Sequence, residues 1–220
     1  YWRPALVVLV AVVAVLLAWG SWRNKARSER ELTWKAMSAL PTADPFMSQA
    51  DSQRLLEETI SGCEKILQDR WHTDATPWVL LRLGSAQQSA GYVSEALKTY
   101  RRLADRYPHH AATRMSTPNL AAVLEQTGNY EAAREQYEEL ANEGGERSPW
   151  WTDVGRTCEL AGRRDAAMEA YGRLVPEGDE QEQPGEEQAE QRTRTFPMAQ
   201  WRLSRLRRGK PLLTPPQIWA

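Results

Sequence analysis

Gly91–Leu103, GYVSEALKTYRRL, returns twice along the chain, as GNYEAAREQYEEL from Gly128 and GRRDAAMEAYGRL from Gly162. Aligned on Ala96, Ala133 and Ala167, the copies lie 37 and 34 residues apart. A recurrence near 34 residues restricts the chain to architectures in which one helical hairpin stacks on the next. A single hairpin cannot bury its apolar face alone.

The first full unit is expected from Pro77 to His110, with Leu80, Leu83, Gly84, Gly91, Ala96, Tyr100, Leu103 and Pro108 as anchors. Small Gly84 and Ala96 let two antiparallel helices approach, and Gly91 serves the turn. Tyr100 is expected to fill the space against the next hairpin, and Pro108 to stop the second helix. These eight positions resemble the tetratricopeptide repeat. The second copy, Arg114 to about Arg147, keeps Leu120, Ala121, Gly128, Ala133, Tyr137 and Leu140 but places Thr117 and Pro118 where a bulky residue belongs. A short first helix capped by Ser116 or Thr117 is expected there, with the extra residues in a loop around 109–113. The third copy, Ser148 to about Asp179, has Trp151, Val154, Gly155, Gly162, Ala167, Tyr171 and Leu174.

Upstream, Pro4–Gly20 contains no charge and, at about 1.5 Å per residue, approaches bilayer thickness. Residues 1–22 are therefore read as one transmembrane helix in the lipid bilayer. Trp2, Trp19 and Trp22 lie at its ends, where indoles settle at membrane interfaces, and Trp34 is a docking candidate just beyond. A cleaved signal peptide is the rival reading, since Ala18 and Gly20 make a small-x-small site. Arg23, Lys25, Arg27 and Arg30 follow the span while only Arg3 precedes it, which by charge alone puts the repeats in the cytoplasm.

The remaining boundaries follow from breakers and periodicity. A juxtamembrane helix and linker occupy 23–50, broken at Pro41 and Asp44-Pro45, and an N-terminal partner helix occupies 51–76. Three hairpins fill 77–176. Residues 177–195 form an acidic flexible insert, whose Glu177–Gln191 stretch carries seven acids and no base. A capping helix occupies 196–209, and a Pro-rich extended tail 210–220. The fold class expected is all-α: one N-terminal transmembrane helix, a short α-solenoid of about three hairpins and a C-terminal capping helix.

Composition narrows function by exclusion. A net charge of −1, from 28 basic and 29 acidic residues, supplies no global field for nucleic acid, so none is expected as a partner. Cys63 and Cys158 make no CxxC pair, and His72, His109 and His110 make no HExxH. No nucleotide loop or nucleophile elbow occurs, so no catalytic, metal or cofactor residues are assigned.

The tetratricopeptide resemblance implies a concave face lined by first helices and used to hold extended peptides or helices. Carried onto this chain, the protein-binding positions are Trp78, Leu81, Arg82, Ser85 and Gln88 in the first repeat. They are Asn119, Ala122 and Gln126 in the second, and Thr152, Asp153, Arg156 and Glu159 in the third. That mixture lacks a basic clamp for a C-terminal carboxylate. With the junction AWGSWRNKARS and the helix FPMAQWRLSRL, the chain also resembles the bacterial membrane-anchored tetratricopeptide family that includes the ancillary subunit of the SecYEG translocon. The resemblance implies a single-pass inner-membrane protein whose repeats are periplasmic and bind a protein partner at a translocon- or chaperone-type complex. The alternative is a structural subunit of an energy-transducing or transport complex, held mainly by its span.

Overall fold

The structure is a computed structural model that describes residues 2–41, 47–69, 73–145, 147–175 and 196–214, with side chains from residue 12 onward. The acidic 177–195 stretch, the Asp44-Pro45 break, Trp71, His72, Trp219 and the side chain of Trp2 lie outside the described residues. Nine helices fall within them: α1 (Trp2–Ser38), α2 (Gln49–Asp69), α3 (Thr76–Ser89), α4 (Val93–Arg106), α5 (Ala111–Gln126), α6 (Tyr130–Glu143), α7 (Trp150–Leu160), α8 (Arg164–Gly172) and α9 (Pro197–Arg207). The described chain is thus all-α and of the tetratricopeptide-like solenoid class, but with three helices beyond the six of three hairpins.

One expectation needs correction. No helix is long and apolar enough to cross a membrane among the described residues. The first half of the stretch read as a span has its side chains outside the description. Within the described part, Val15, Leu16, Leu17, Trp19 and Trp22 are all exposed.

The chain divides into two compact units, Tyr1–Thr113 and Arg114–Ala220. In the first, α2 packs on α3 and α3 on α4. The apolar residues of α2 recur at helical spacing, and Cys63, Ile66 and Leu67 meet Val79, Leu80, Leu83, Leu103 and Ala112 in one core. Ser48 caps α2, accepting from Asp51 N at 3.2 Å and donating to its carboxylate at 2.6 Å. The end of α1 is held from α3: Arg82 donates to the carbonyls of Met37 (3.3 Å), Leu40 (3.2 Å) and Pro41 (2.7 Å). A guanidinium thereby satisfies carbonyls that a helix end leaves open.

In the second unit α6 packs on α7, α7 on α8, and α9 on α8. Here the structure departs from expectation at α5. This helix starts at Ala111, so residues 111–113 of the expected loop are helical, and Pro118 stands inside the helix. The proline removes one ladder donor, but the helix continues to Gln126.

The three turns are the same turn. Gly91, Gly128 and Gly162 have φ of +84°, +78° and +78°. At each, the glycine N–H bonds the carbonyl three residues back, and the next N–H reaches five back, as in Tyr92 to Gln87 at 2.8 Å. This is the Schellman closure, and a left-handed glycine is what permits it. Ala96, Ala133 and Ala167 then donate to the residue after the glycine, opening the second helix.

Gly84 and Gly155 act differently. A Cβ on Gly84 would lie 2.6 Å from Cε1 of Tyr100, and one on Gly155 would lie 2.5 Å from Cε1 of Tyr171. Tyr100 therefore lies over the glycine of its own hairpin, and Tyr171 does the same in the third.

The sharpest test of this packing is Gly155→Ala beside Gly172→Ala. The first should cost about 1–3 kcal/mol in urea unfolding, because the Tyr171 ring has to leave its place. The second meets nothing within 4 Å and lies in a helix, so it should be neutral or stabilising by up to ~1 kcal/mol.

Candidate protein-binding face

In the first unit, α3 places Trp78, Leu81, Ser85 and Gln88 at helical spacing along one side, all half-buried. Trp78 and Leu81 pack against the core, and Trp78 meets His110 edge-on with ring centroids 5.5 Å apart. Gln88 accepts from the Tyr100 hydroxyl at 3.3 Å, and Ser85 lies 3.3 Å from the same hydroxyl. Arg82 is committed to the end of α1, as described above.

In the second unit, Asn119 and Ala122 are half-buried and Gln126 is exposed on α5. Thr152, Asp153 and Arg156 are half-buried on α7. Arg156 is the electrostatic centre of this face. Its Nε and Nη2 donate to both oxygens of Glu125 at 3.0 and 2.9 Å, and its Nη1 lies 2.7 Å from Asp153 Oδ1. The same guanidinium sits 5.9 Å from the Tyr137 ring, which stacks on Trp150 at 6.0 Å. Bidentate pairing with buried Glu125 fixes the arginine in place.

Glu159, read from sequence as a groove residue, is fully withdrawn from solvent. It accepts from the Tyr171 hydroxyl at 2.9 Å, from Arg202 Nε at 2.7 Å and from Arg202 Nη2 in a short ion pair. Arg202 comes from α9, so the predicted groove residue instead anchors the last helix. Burial of both ions favours tight pairing, since either one alone would be a desolvated charge.

Two residues that carry this arrangement were not singled out from sequence. Glu125 is the immediate neighbour of the predicted Gln126, and Arg202 lies on the helix expected as a cap. A signal was present: Gln88, Glu125 and Glu159 each stand three residues before a turn glycine. At Gln88 and Glu159 that position meets the hydroxyl of the second-helix tyrosine.

The predicted docking residues Trp19, Trp22 and Trp34 are exposed on α1, with Arg23 lying 5.8 Å from the Trp19 ring. Beside them α1 and residues Asp69, Thr73 and Asp74 border a cleft of about 660 Å³. Arg30 and Asp74 pair across it. Among the described residues no group of three or more His, Cys, Asp or Glu side chains converges as a metal site. Cys63 and Cys158 are buried, and burial pushes both thiols up to about 11.

A tetratricopeptide repeat family model matches residues 78–110, which cover most of α3, all of α4 and the turn between them. A solved tetratricopeptide repeat protein from Parabacteroides merdae is similar in fold, with a TM-score of 0.55 at 13% identity over 84% of this chain. The chain spans 61% of the length of that protein. No curated protein matches.

Arg202→Ala should destabilise the chain by about 3–5 kcal/mol, because it strands Glu159 in the core. Adding Glu159→Gln should recover part of the loss, since an amide still accepts from Tyr171. Asp153 supplies a pH test. Burial raises its pKa above the ordinary carboxylate value, against the pull of Arg156. The folded chain then holds this proton to higher pH than the unfolded chain does, so the group's contribution to stability falls as pH rises from the unfolded value through the raised one. Asp153→Asn removes that decline. The Tm of the variant minus that of the wild type should therefore increase between about pH 3 and pH 7.

Proposed function

We propose that the chain is a non-catalytic protein-interaction scaffold. The observation that carries this reading is the thrice-repeated hairpin with one turn geometry, whose first copy matches the tetratricopeptide repeat. Such hairpins recur as binding frameworks, and their second helices here are absorbed in stacking. The first helices remain as the face that meets a partner. On α5 and α7, Gln126 and Thr152 flank the fixed Arg156–Glu125 pair, which leaves an amphipathic surface and not a strongly basic one. This favours a helix or extended peptide of mixed character over an acidic ligand.

The finer reading adds location. The uncharged Pro4–Gly20 stretch, the Trp-rich exit and the basic residues after it support attachment through residues 1–22 at a bacterial inner-membrane complex of translocon or chaperone type. The family resemblance supports periplasmic repeats, and the charge count supports cytoplasmic ones. The alternative, a structural accessory subunit held mainly by its first helix, is favoured by the exposed Trp19, Trp22 and Trp34.

One purification separates the two. The full chain, solubilised gently from its host, should recover a stoichiometric protein partner. The double variant Gln126→Arg, Thr152→Arg should lower that recovery about tenfold, a loss of ~1.4 kcal/mol, with unchanged helicity by circular dichroism. Unaltered recovery from the double variant, together with loss on deleting residues 1–22, would establish the accessory-subunit reading instead.

A further inference from the structure

Lys210–Thr214 follows α9 as a segment without helix. Two polar contacts hold it to the second unit. Arg164 Nη2 donates to the Lys210 carbonyl at 2.8 Å, while its Nη1 donates to the Leu206 carbonyl at 3.0 Å. Three residues on, the Leu213 N–H donates to Glu159 Oε2 at 3.3 Å. Leu212 and Leu213 are half-buried, whereas Lys210, Pro211 and Thr214 are exposed.

The segment is therefore held as a ligand would be. One of its carbonyls is gripped by a guanidinium, one of its amides by a carboxylate, and two leucines between and beside them are partly covered. The Lys210 N–H also closes the end of α9, donating to the Arg205 carbonyl at 3.1 Å, whereas the Leu213 contact lies beyond the helix and reads backbone and apolar character, the two things an extended peptide offers. The carboxylate belongs to Glu159 on α7, the helix that also carries Thr152, Asp153 and Arg156. It is already neutralised by Arg202, so the amide contact adds no new buried charge. Pro211 contributes by having no amide of its own to satisfy at the exposed position.

We propose that Lys210–Thr214 is a self-bound peptide filling a cradle of the second unit formed by Arg164 and Glu159. The cradle takes, in trans, an extended apolar segment of the same chemistry. This deepens the scaffold reading and rests on it. Tethering makes the bound segment a strong competitor, because a short link holds it at an effective concentration near the millimolar range. The intact chain keeps the cradle masked, and a partner has to displace the tail.

The probe is a fluorescein-labelled synthetic peptide of this chain's residues 210–220, titrated by anisotropy. The full chain carrying Leu213→Pro loses the amide that meets Glu159, so its tail should release and the peptide should bind saturably, at least tenfold more tightly than to the unaltered full chain. A labelled peptide carrying the same substitution should bind that variant at least tenfold more weakly. A chain ending at Gly209 should behave like the Leu213→Pro chain. Equal binding to masked and unmasked chains overturns the proposal, as does no binding to a Leu213→Pro chain that keeps wild-type helicity. Because the probe is the chain's own tail, this failure is distinct from a failure of the scaffold reading, which is read from partner recovery with the Gln126 and Thr152 substitutions.

Discussion

In the first and third hairpins a tyrosine ring occupies the place where any side chain on the facing glycine would have to go. Tyr100 on Gly84 and Tyr171 on Gly155 fix how near the paired helices come, and much else follows from that distance. Once the ring lies flat on the first helix, its hydroxyl reaches the last turn of that helix. There it meets Gln88 in one hairpin and Glu159 in the other. The middle copy uses Ala121 in place of glycine, and its Tyr137 instead stacks on Trp150 and faces Arg156. The same framework position thus serves three different polar settings.

Two acids near the ends of first helices become sockets for arginines from later helices. Glu125 receives Arg156, and Glu159 receives Arg202. Neither pair is a cheap source of stability, since both ions leave water to form it. What such pairs supply is position. A hydrophobic seam tolerates small slips, but a bidentate guanidinium–carboxylate contact is satisfied at one register only. The first unit uses the related device of Arg82, which takes three backbone carbonyls at the end of α1 and so locates that helix against α3.

The turns and the hairpin interiors were legible in the sequence because their residues have few substitutes. A left-handed residue at Gly91, Gly128 and Gly162, and a small one at Gly84, Ala96 and Ala133, each announce a backbone requirement. The start of α5 was not legible, because Pro118 suggests a helix beginning where the chain instead carries a proline within one. The candidate face was only partly legible. Periodicity places Arg82 on α3 and Arg156 and Glu159 on α7, but it does not say whether a charge looks outward or finds a partner far along the chain. Arg82 and Met37 are 45 residues apart, and Glu159 and Arg202 are 43. Separations of that kind follow from the completed packing and not from any local pattern.

The two cysteines make the molecule its own reporter. Cys63 lies in one compact unit and Cys158 in the other, both buried. A thiolate is what reacts with alkylating reagents, and burial suppresses it at both sites. Neither sulfur meets a reagent while its surroundings stay closed, so the rate at which each is modified measures how often that half of the chain breathes. With one probe in each half and no exposed thiol among the described residues to confuse them, the halves can be timed independently without adding a label site.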